Sequence, residues 1–388
     1  MTLPNDIDIL KNKIQKILNP IDCAVEKGTK ADKDFLFKAV RADVGDDLPP
    51  YYLIYFLFVD LLGFKNLGRF EKVAWSIPID YNGVAYVLEH RKLGMGLFVA
   101  DKESQKKECQ EIVRKINNAV KVAKPYFDWV ANEAAKDSQL NVLNHSLKLY
   151  DRYTFLIEEY KRKEQESISH NNTVQESWNF ENYFSVYSDS QKLKKEKQWL
   201  ALSAIDAFYS FTEHIFIHAA ILKGSLLTGE DVERLAQDDW ANKFKACLDV
   251  QNKLIRPHYD KLGLIKKQVR NYMAHGAFGK NGEAFQIHSK VGAVPLLMTN
   301  QKSGSRFSIQ PDTEFEEKEA IKAIENFIHF YWNSDDFLEI IYIKSTLPSI
   351  LTFANDSTYE DALKSLNNME DLIDDLNTIS DNSANMDW

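Results

Sequence analysis

The stretch "ALSAIDAFYSFTEHIFIHAAIL", residues 201–222, is apolar on nearly every side of a helix. Its polar residues Ser203, Asp206, Ser210 and Glu213 recur at intervals of three, four and three, which gathers them into one seam. Such a helix belongs to a core, and the pattern extends it from about Gln191 to Lys223, where Gly224 ends it. Helices follow over about Gly229 to Gln251 and Tyr259 to His275, then about Glu314 to Trp332 and Asp335 to Ile343. Between the second and third of these, "GEAFQIHSKVGAVPLLMT" reads as strand, so a β-hairpin is inserted over about Gly282 to Ile309. The second half is therefore a helical bundle carrying an inserted hairpin.

The first half mixes periods. A helix opens the chain with Ile9, Ile14 and Ile17 as its apolar repeat. In "VAWSIPIDYNGVAYVLEHRKLGMGLF", alternating runs flank Asn82-Gly83, the strongest short hairpin signal, because both turn positions need positive φ. Helical patterns resume from Lys102, with a break at Pro125. The fold class is thus mainly α: an α+β module over residues 1–165, a linker over 166–190, the helical domain over 191–345, and an acidic helix and tail over 346–388.

Of 388 residues, 44% are hydrophobic and 27% charged, which suits a folded chain of two domains. The net charge of -9 excludes a general nucleic-acid coat. Charge is nonetheless uneven. Residues 251–290 carry eight bases against two acids, and residues 311–388 carry four bases against eighteen acids. A phosphate-bearing ligand explains a basic segment within an acidic chain; mutual neutralisation inside one fold explains it equally well. The N-terminus lacks an apolar run of secretory type, and the most apolar stretch, Tyr51 to Phe64, is too short to span a bilayer and contains Asp60. Three well-separated cysteines, Cys23, Cys109 and Cys247, read as reduced thiols. A cytoplasmic protein without membrane contact is expected.

The chemistry concentrates in "KKQVRNYMAHGAFGKNG", residues 266–282. Asn271 and His275 lie four apart on one helix face, and Arg270 is long enough to reach it. Gly276 is the natural left-handed residue after a helix, leaving His275 in the last turn, where the negative dipole end favours imidazolium. Arginine with histidine suits cleavage of an RNA phosphodiester. His275 moves a proton and Arg270 holds the developing phosphorane charge, with no metal or other cofactor required. Lys266, Lys267 and Lys280 are candidate phosphate contacts.

"RNYMAHG" resembles the Arg, four to six residues, His signature of the HEPN superfamily, in which the residue after the arginine is often polar. The resemblance covers roughly residues 191–345. It implies an α-helical bundle and a metal-independent endoribonuclease whose homodimer forms one composite site. Arg270 and His275 would be the catalytic pair, with Asn271 in support. The family usually also has an acidic or polar residue on an earlier helix; Glu213 is the favoured match and Asp206 the second, each with Arg270 as its expected partner. The inserted hairpin departs from the family pattern. The expected function is RNA cleavage by a toxin or phage-defence effector, with residues 1–165 sensing a regulatory partner or ligand. A non-catalytic HEPN-like bundle that binds RNA or a nucleotide, or serves as a dimerisation scaffold, is the alternative. His214 and His218, four apart, have metal-ligand spacing but no third ligand at suitable distance, and read as core or interface histidines.

Overall fold

The computed structural model describes residues 7–24, 35, 38–136, 138–177, 183–275, 285–298, 307–309 and 317–386, with the backbone alone for 171–177, 183–187, 268, 270–275, 295, 297, 298 and 308. The chain is mainly helical and contains antiparallel sheets. It divides into two compact units, Met1–Asp137 with Asp374–Trp388, and Ser138–Ile373.

In the first unit, helix α1 (Ile7–Leu18) leads into β1 (Ile21–Cys23), and β2 (Val40–Arg41) precedes α2 (Tyr51–Tyr55). Helix α2 continues as a π-helical turn, Phe56–Leu61. Strands β3 (Val73–Tyr81), β4 (Val84–Arg91) and β5 (Gly94–Val99) complete an antiparallel sheet of order β1-β3-β4-β5-β2. The β3–β4 turn is the expected one: Asn82 and Gly83 have φ of 54° and 83°, and Tyr81 pairs with Val84. Trp75, Ile77, Ile79 and Tyr81 share a core with Ile14, Ile54, Leu57 and Phe58. Helices α3 (Lys106–Val122) and α4 (Lys124–Lys136) follow, with Pro125 in the first turn of α4, where a missing N–H is harmless. Ile112, Val113 and Ile116 bring α3 onto the same core.

The second unit is built on α5 (Ser146–Ser177) and α6 (Tyr183–Leu222), which pack along each other. Short α7 (Gly229–Gln237) and α8 (Trp240–Cys247) precede α9 (Arg256–His275); β7 (Phe285–Ser289), β8 (Gly292–Met298) and β9 (Phe307–Ser308) form a small antiparallel sheet. Then come α10 (Glu317–Phe327), with a π-helical turn Ile328–Trp332, and α11 (Leu338–Lys344). A two-residue strand β6 (Asn141–Val142) pairs with β10 (Ser349–Ile350). The chain closes with α12 (Leu351–Asn355), α13 (Thr358–Ala362) and α14 (Leu366–Asn385).

Two boundaries differ from the sequence expectation. Residues 166–177 and 183–190, expected within a linker, are helical, and the division between units falls at Asp137/Ser138. The polar composition misled because α5 and α6 meet here through polar contacts: Ser190 Oγ lies 3.4 Å from His170 Nδ1, and just beyond the stretch Lys163 reaches Glu196 at 2.9 Å. The acidic helix expected beyond Asn355 is present as α14, and it runs on to Asn385 instead of dissolving from Ser380. In the first unit Asn385 accepts hydrogen bonds from Lys92 at 2.8 Å and Lys72 at 3.3 Å, cations placed at a helix C-terminus where the dipole favours them. Among the described residues, no helix is long and apolar enough to cross a membrane.

Candidate functional site

Helix α9 holds the motif, and its described backbone runs from Arg256 to His275. Leu262, Ile265 and Val269 are buried, giving α9 an apolar stripe at spacings of three and four that faces the bundle. Lys266 and Lys267 follow Ile265, and Arg270 lies one helical turn beyond Lys266. The side chains of Arg270, Asn271 and His275, and all of Lys280, lie outside the described residues.

The polar seam of α6 is real, and it is turned to solvent. Ser203, Asp206 and Ser210 are exposed while Ala204, Ile205, Phe208 and Phe211 are buried. Asp206 therefore needs no partner to offset desolvation, contrary to the reasoning that sought one in Arg270. Glu213, one step further along, is half-buried and does have partners, but they are lysines. Lys243 Nζ donates to its Oε2 at 2.7 Å and Lys266 Nζ to its Oε1. Burial alone would raise the Glu213 pKa; the hydrogen bonds from Lys243 and Lys266 outweigh it and hold the carboxyl below its ordinary value. Glu213 is thus a fixed anion and not a proton acceptor near neutrality. It ties α6 to α8 through Lys243 and to α9 through Lys266.

Lys243 was not singled out from the sequence, although a signal existed. It falls in the stripe Trp240, Lys243, Phe244, Cys247, whose other members are apolar, and its side chain is 5% exposed. A lysine so placed requires an anion. The surrounding contacts are equally specific. Trp240 Nε1 donates to Thr212 Oγ1 at 3.0 Å, and Tyr209 donates its hydroxyl to the Leu262 carbonyl at 2.7 Å. Lys266 Nζ stands 4.9 Å from the centroid of the Tyr209 ring. Burial pushes the Tyr209 phenol up, so it remains a neutral donor.

Beside this cluster a cleft of about 440 Å³ opens between α8 and α9, lined by Trp240, Tyr259, Gly263, Leu264, Lys266 and Lys267 among others. Lys266 is engaged by Glu213, so of the three lysines expected to meet a phosphate, Lys267 is the exposed one among the two described. The basic segment is not neutralised by the acidic one among the described ion pairs. On α10, Glu325 pairs with Lys161 of α5 at 2.6 Å and Glu317 lies 3.9 Å from Lys197 of α6, whereas Arg256 of α9 pairs with Asp260 of the same helix at 2.9 Å.

His218 is buried and His214 is half-buried beside it, in line with the expectation of core or interface histidines. His145 donates its backbone N–H to His214 Nε2 at 2.8 Å, which makes that nitrogen an acceptor and puts the His214 proton on Nδ1. His218 Nε2 lies 3.1 Å from the same nitrogen, and His218 Nδ1 shares a hydrogen bond of 2.7 Å with Ser349 Oγ. Burial pulls the two imidazoles down to about 4 and about 3, respectively, aided by their neighbours His145 and His214. Among the described residues no group of three or more His, Cys, Asp or Glu could hold a metal ion. No family model, curated protein or solved structure matches the chain.

Proposed function

We propose that the chain is a HEPN-type, metal-independent endoribonuclease that works as a homodimer, in the setting of a toxin or phage-defence effector. The observation that carries the reading is the course of α9, an uninterrupted helix from Arg256 to His275 packed within a helical bundle, which puts Arg270, Asn271 and His275 in its last turns. In this reading His275 takes the proton of the ribose 2′-OH or returns one to the departing 5′ oxygen. The 2′ oxygen attacks the adjacent phosphorus, the bond to the 5′ oxygen breaks, and a 2′,3′-cyclic phosphate remains. Arg270 holds the equatorial oxygens while their negative charge grows, and Asn271 supports the pair. Lys267, on the rim of the α8–α9 cleft, steers the strand. Glu213 acts at one remove, as a positioning residue: by fixing Lys266 it seats α9 on α6.

The test is RNA cleavage by the full chain in EDTA, with the product ends identified. Cyclic phosphate ends, lost by a factor of about 100 or more in His275→Ala, support the proposal. Intact RNA in both proteins, bound in a manner weakened by Arg270→Ala and indifferent to His275→Ala, makes the bundle a binding module instead. Relief of growth inhibition by His275→Ala on expression gives the same answer in cells.

A further inference from the structure

We propose that the cleft between α8 and α9 seats one unpaired nucleotide of an RNA strand, next to the phosphate assigned to Arg270, and that Gly263 keeps this seat open. The identity of the ligand rests on the ribonuclease reading above, and the experiment below separates the two. Glycine is a poor choice for the interior of a helix, where only proline is less favourable. Gly263 nonetheless stands well inside the 20-residue α9. Two ordinary reasons for a glycine do not apply to it. Its φ is not among the positive values of the described residues, and a Cβ added to it would meet no described atom within 4 Å, so no neighbour demands the space. What Gly263 does border is the cleft of about 440 Å³, a volume in the range of ligand sites. A side chain at this position would enter that volume.

The rest of the lining defines what fits. Trp240 and Tyr259 stack with centroids 6.3 Å and planes 11° apart, and Leu264 is left 47% exposed, so the walls are apolar and suit a flat ring. Asp239 Oδ1 accepts from the Asn242 N–H at 2.9 Å, and its other oxygen has no partner among the described residues. Lys267 is exposed and likewise has no carboxylate partner among the described residues, whereas Lys266 is held by Glu213 and Asp260 by Arg256. The polar groups open to a ligand are therefore one acceptor and one cation. A base with an amino group, joined to a phosphate, answers both. Adenine, cytosine and guanine carry that amino group and uracil does not.

Order along α9 gives the strand its path. Tyr259, Gly263, Lys267 and Arg270 recur at intervals of four, four and three, so the backbone places them on one row. Leu262, Ile265 and Val269, buried against the bundle, lie off that row. Lys267 thus stands about one helical turn, roughly 5 Å along the axis, before Arg270, a separation that neighbouring phosphates of one strand can span.

Two measurements on the full-length chain test the seat: fluorescence anisotropy with labelled 2′-O-methyl octanucleotides, which resist cleavage, and cleavage of the matching RNA. Gly263→Leu weakens octanucleotide binding on the order of tenfold, and Gly263→Ala weakens it less. Both variants melt at or above the wild-type temperature, because each removes a glycine from a helix interior, so lost affinity is not lost folding. Lys267→Ala lowers the slope of log affinity against log salt by about 0.7, and cytosine octanucleotides bind more tightly than uracil ones. Cleavage by the wild type with octanucleotide affinity unchanged in Gly263→Leu overturns the seat and leaves the ribonuclease reading standing. Affinity lost in Gly263→Leu with RNA left intact by the wild type keeps the seat and overturns that reading. No octanucleotide binding by the wild type overturns the proposal. So does a Gly263→Leu variant that changes oligomeric state in sedimentation while binding octanucleotides as before, since the gap then belongs to a second copy of the chain.

Discussion

Glu213 and His214 are adjacent on α6, yet they head two polar clusters of opposite character. The Glu213 cluster is ionic, with two lysines on one carboxylate at the edge of an open cleft. The His214 cluster is neutral, a pair of imidazoles that runs from half-buried His214 to buried His218 and Ser349. The difference follows from the neighbours. Glu213 has two ammonium partners that favour its charged form, whereas the imidazoles have burial and one another, which favour the neutral form. A helix that is apolar nearly all round thus imposes a separate settlement on each polar residue it carries.

Acid separates the two clusters, and the effect is the largest expected. Both histidines have folded pKa values, about 4 and about 3, below the ordinary 6.5. Below pH 6.5 the unfolded chain takes up protons that the native chain refuses, so the stability is fully present above 6.5 and lost as pH falls towards those values. The loss is on the order of 3 kcal/mol per histidine by pH 4. Glu213 behaves in a different window: its lowered pKa contributes stability above the ordinary 4.5, lost only as pH falls through the folded value. Urea midpoints measured from pH 7.5 to 4 should therefore fall steeply in the wild type, and His218→Gln should flatten the slope by about half. A flat wild-type profile above pH 4.5 would mean that the histidine chain is not neutral by burial.

The ionic cluster is broken by Glu213→Gln, which leaves the Lys243 ammonium buried without its anion. A loss of about 2–3 kcal/mol is expected in urea unfolding, and adding Lys243→Met should recover most of it, since an apolar side chain of similar length removes the stranded charge. If the single substitution were harmless, the carboxylate would be a surface group like Asp206 and the contrast with His214 would disappear. A smaller effect, about 1 kcal/mol, is expected of Tyr209→Phe, which removes the hydroxyl bonded to the Leu262 carbonyl while keeping the ring beneath Lys266.

Much of this architecture was legible in the chain because local chemistry dictated it. Asn82-Gly83 turned where both residues could adopt positive φ, Gly224 followed α6 with φ of 69°, and the β7–β8 hairpin formed after α9. Legibility failed where a tertiary partner decided the outcome. Residues 166–177 have modest helix propensity, but α6 packed alongside holds them in α5. The partner of Glu213 was sought among arginines of the motif, whereas Lys243 lay thirty residues on in an apolar stripe that looked like ordinary core. Spacing tells which residues share a face; it does not tell which face meets water. For the same reason the seam of α6 was readable as a seam, and its exposure was not.

That last point gives the smallest effect and a sharp one. Asp206 and Glu213 lie on one seam seven residues apart, two helical turns, and the sequence offers both as candidates, Glu213 first and Asp206 second. The structure separates them by environment, because Asp206 is exposed and Glu213 sits among Lys243, Lys266 and the neighbouring helices. Asp206→Asn should then change stability by no more than about 0.5 kcal/mol, within the range of substitutions that touch nothing buried. It should also be additive with Glu213→Gln, since the two carboxylates share no partner. Measured non-additivity above about 0.5 kcal/mol would show that the seam acts as one unit, with the two carboxylates coupled through a common cation, and the role assigned to Lys243 and Lys266 would then have to be divided between both acids.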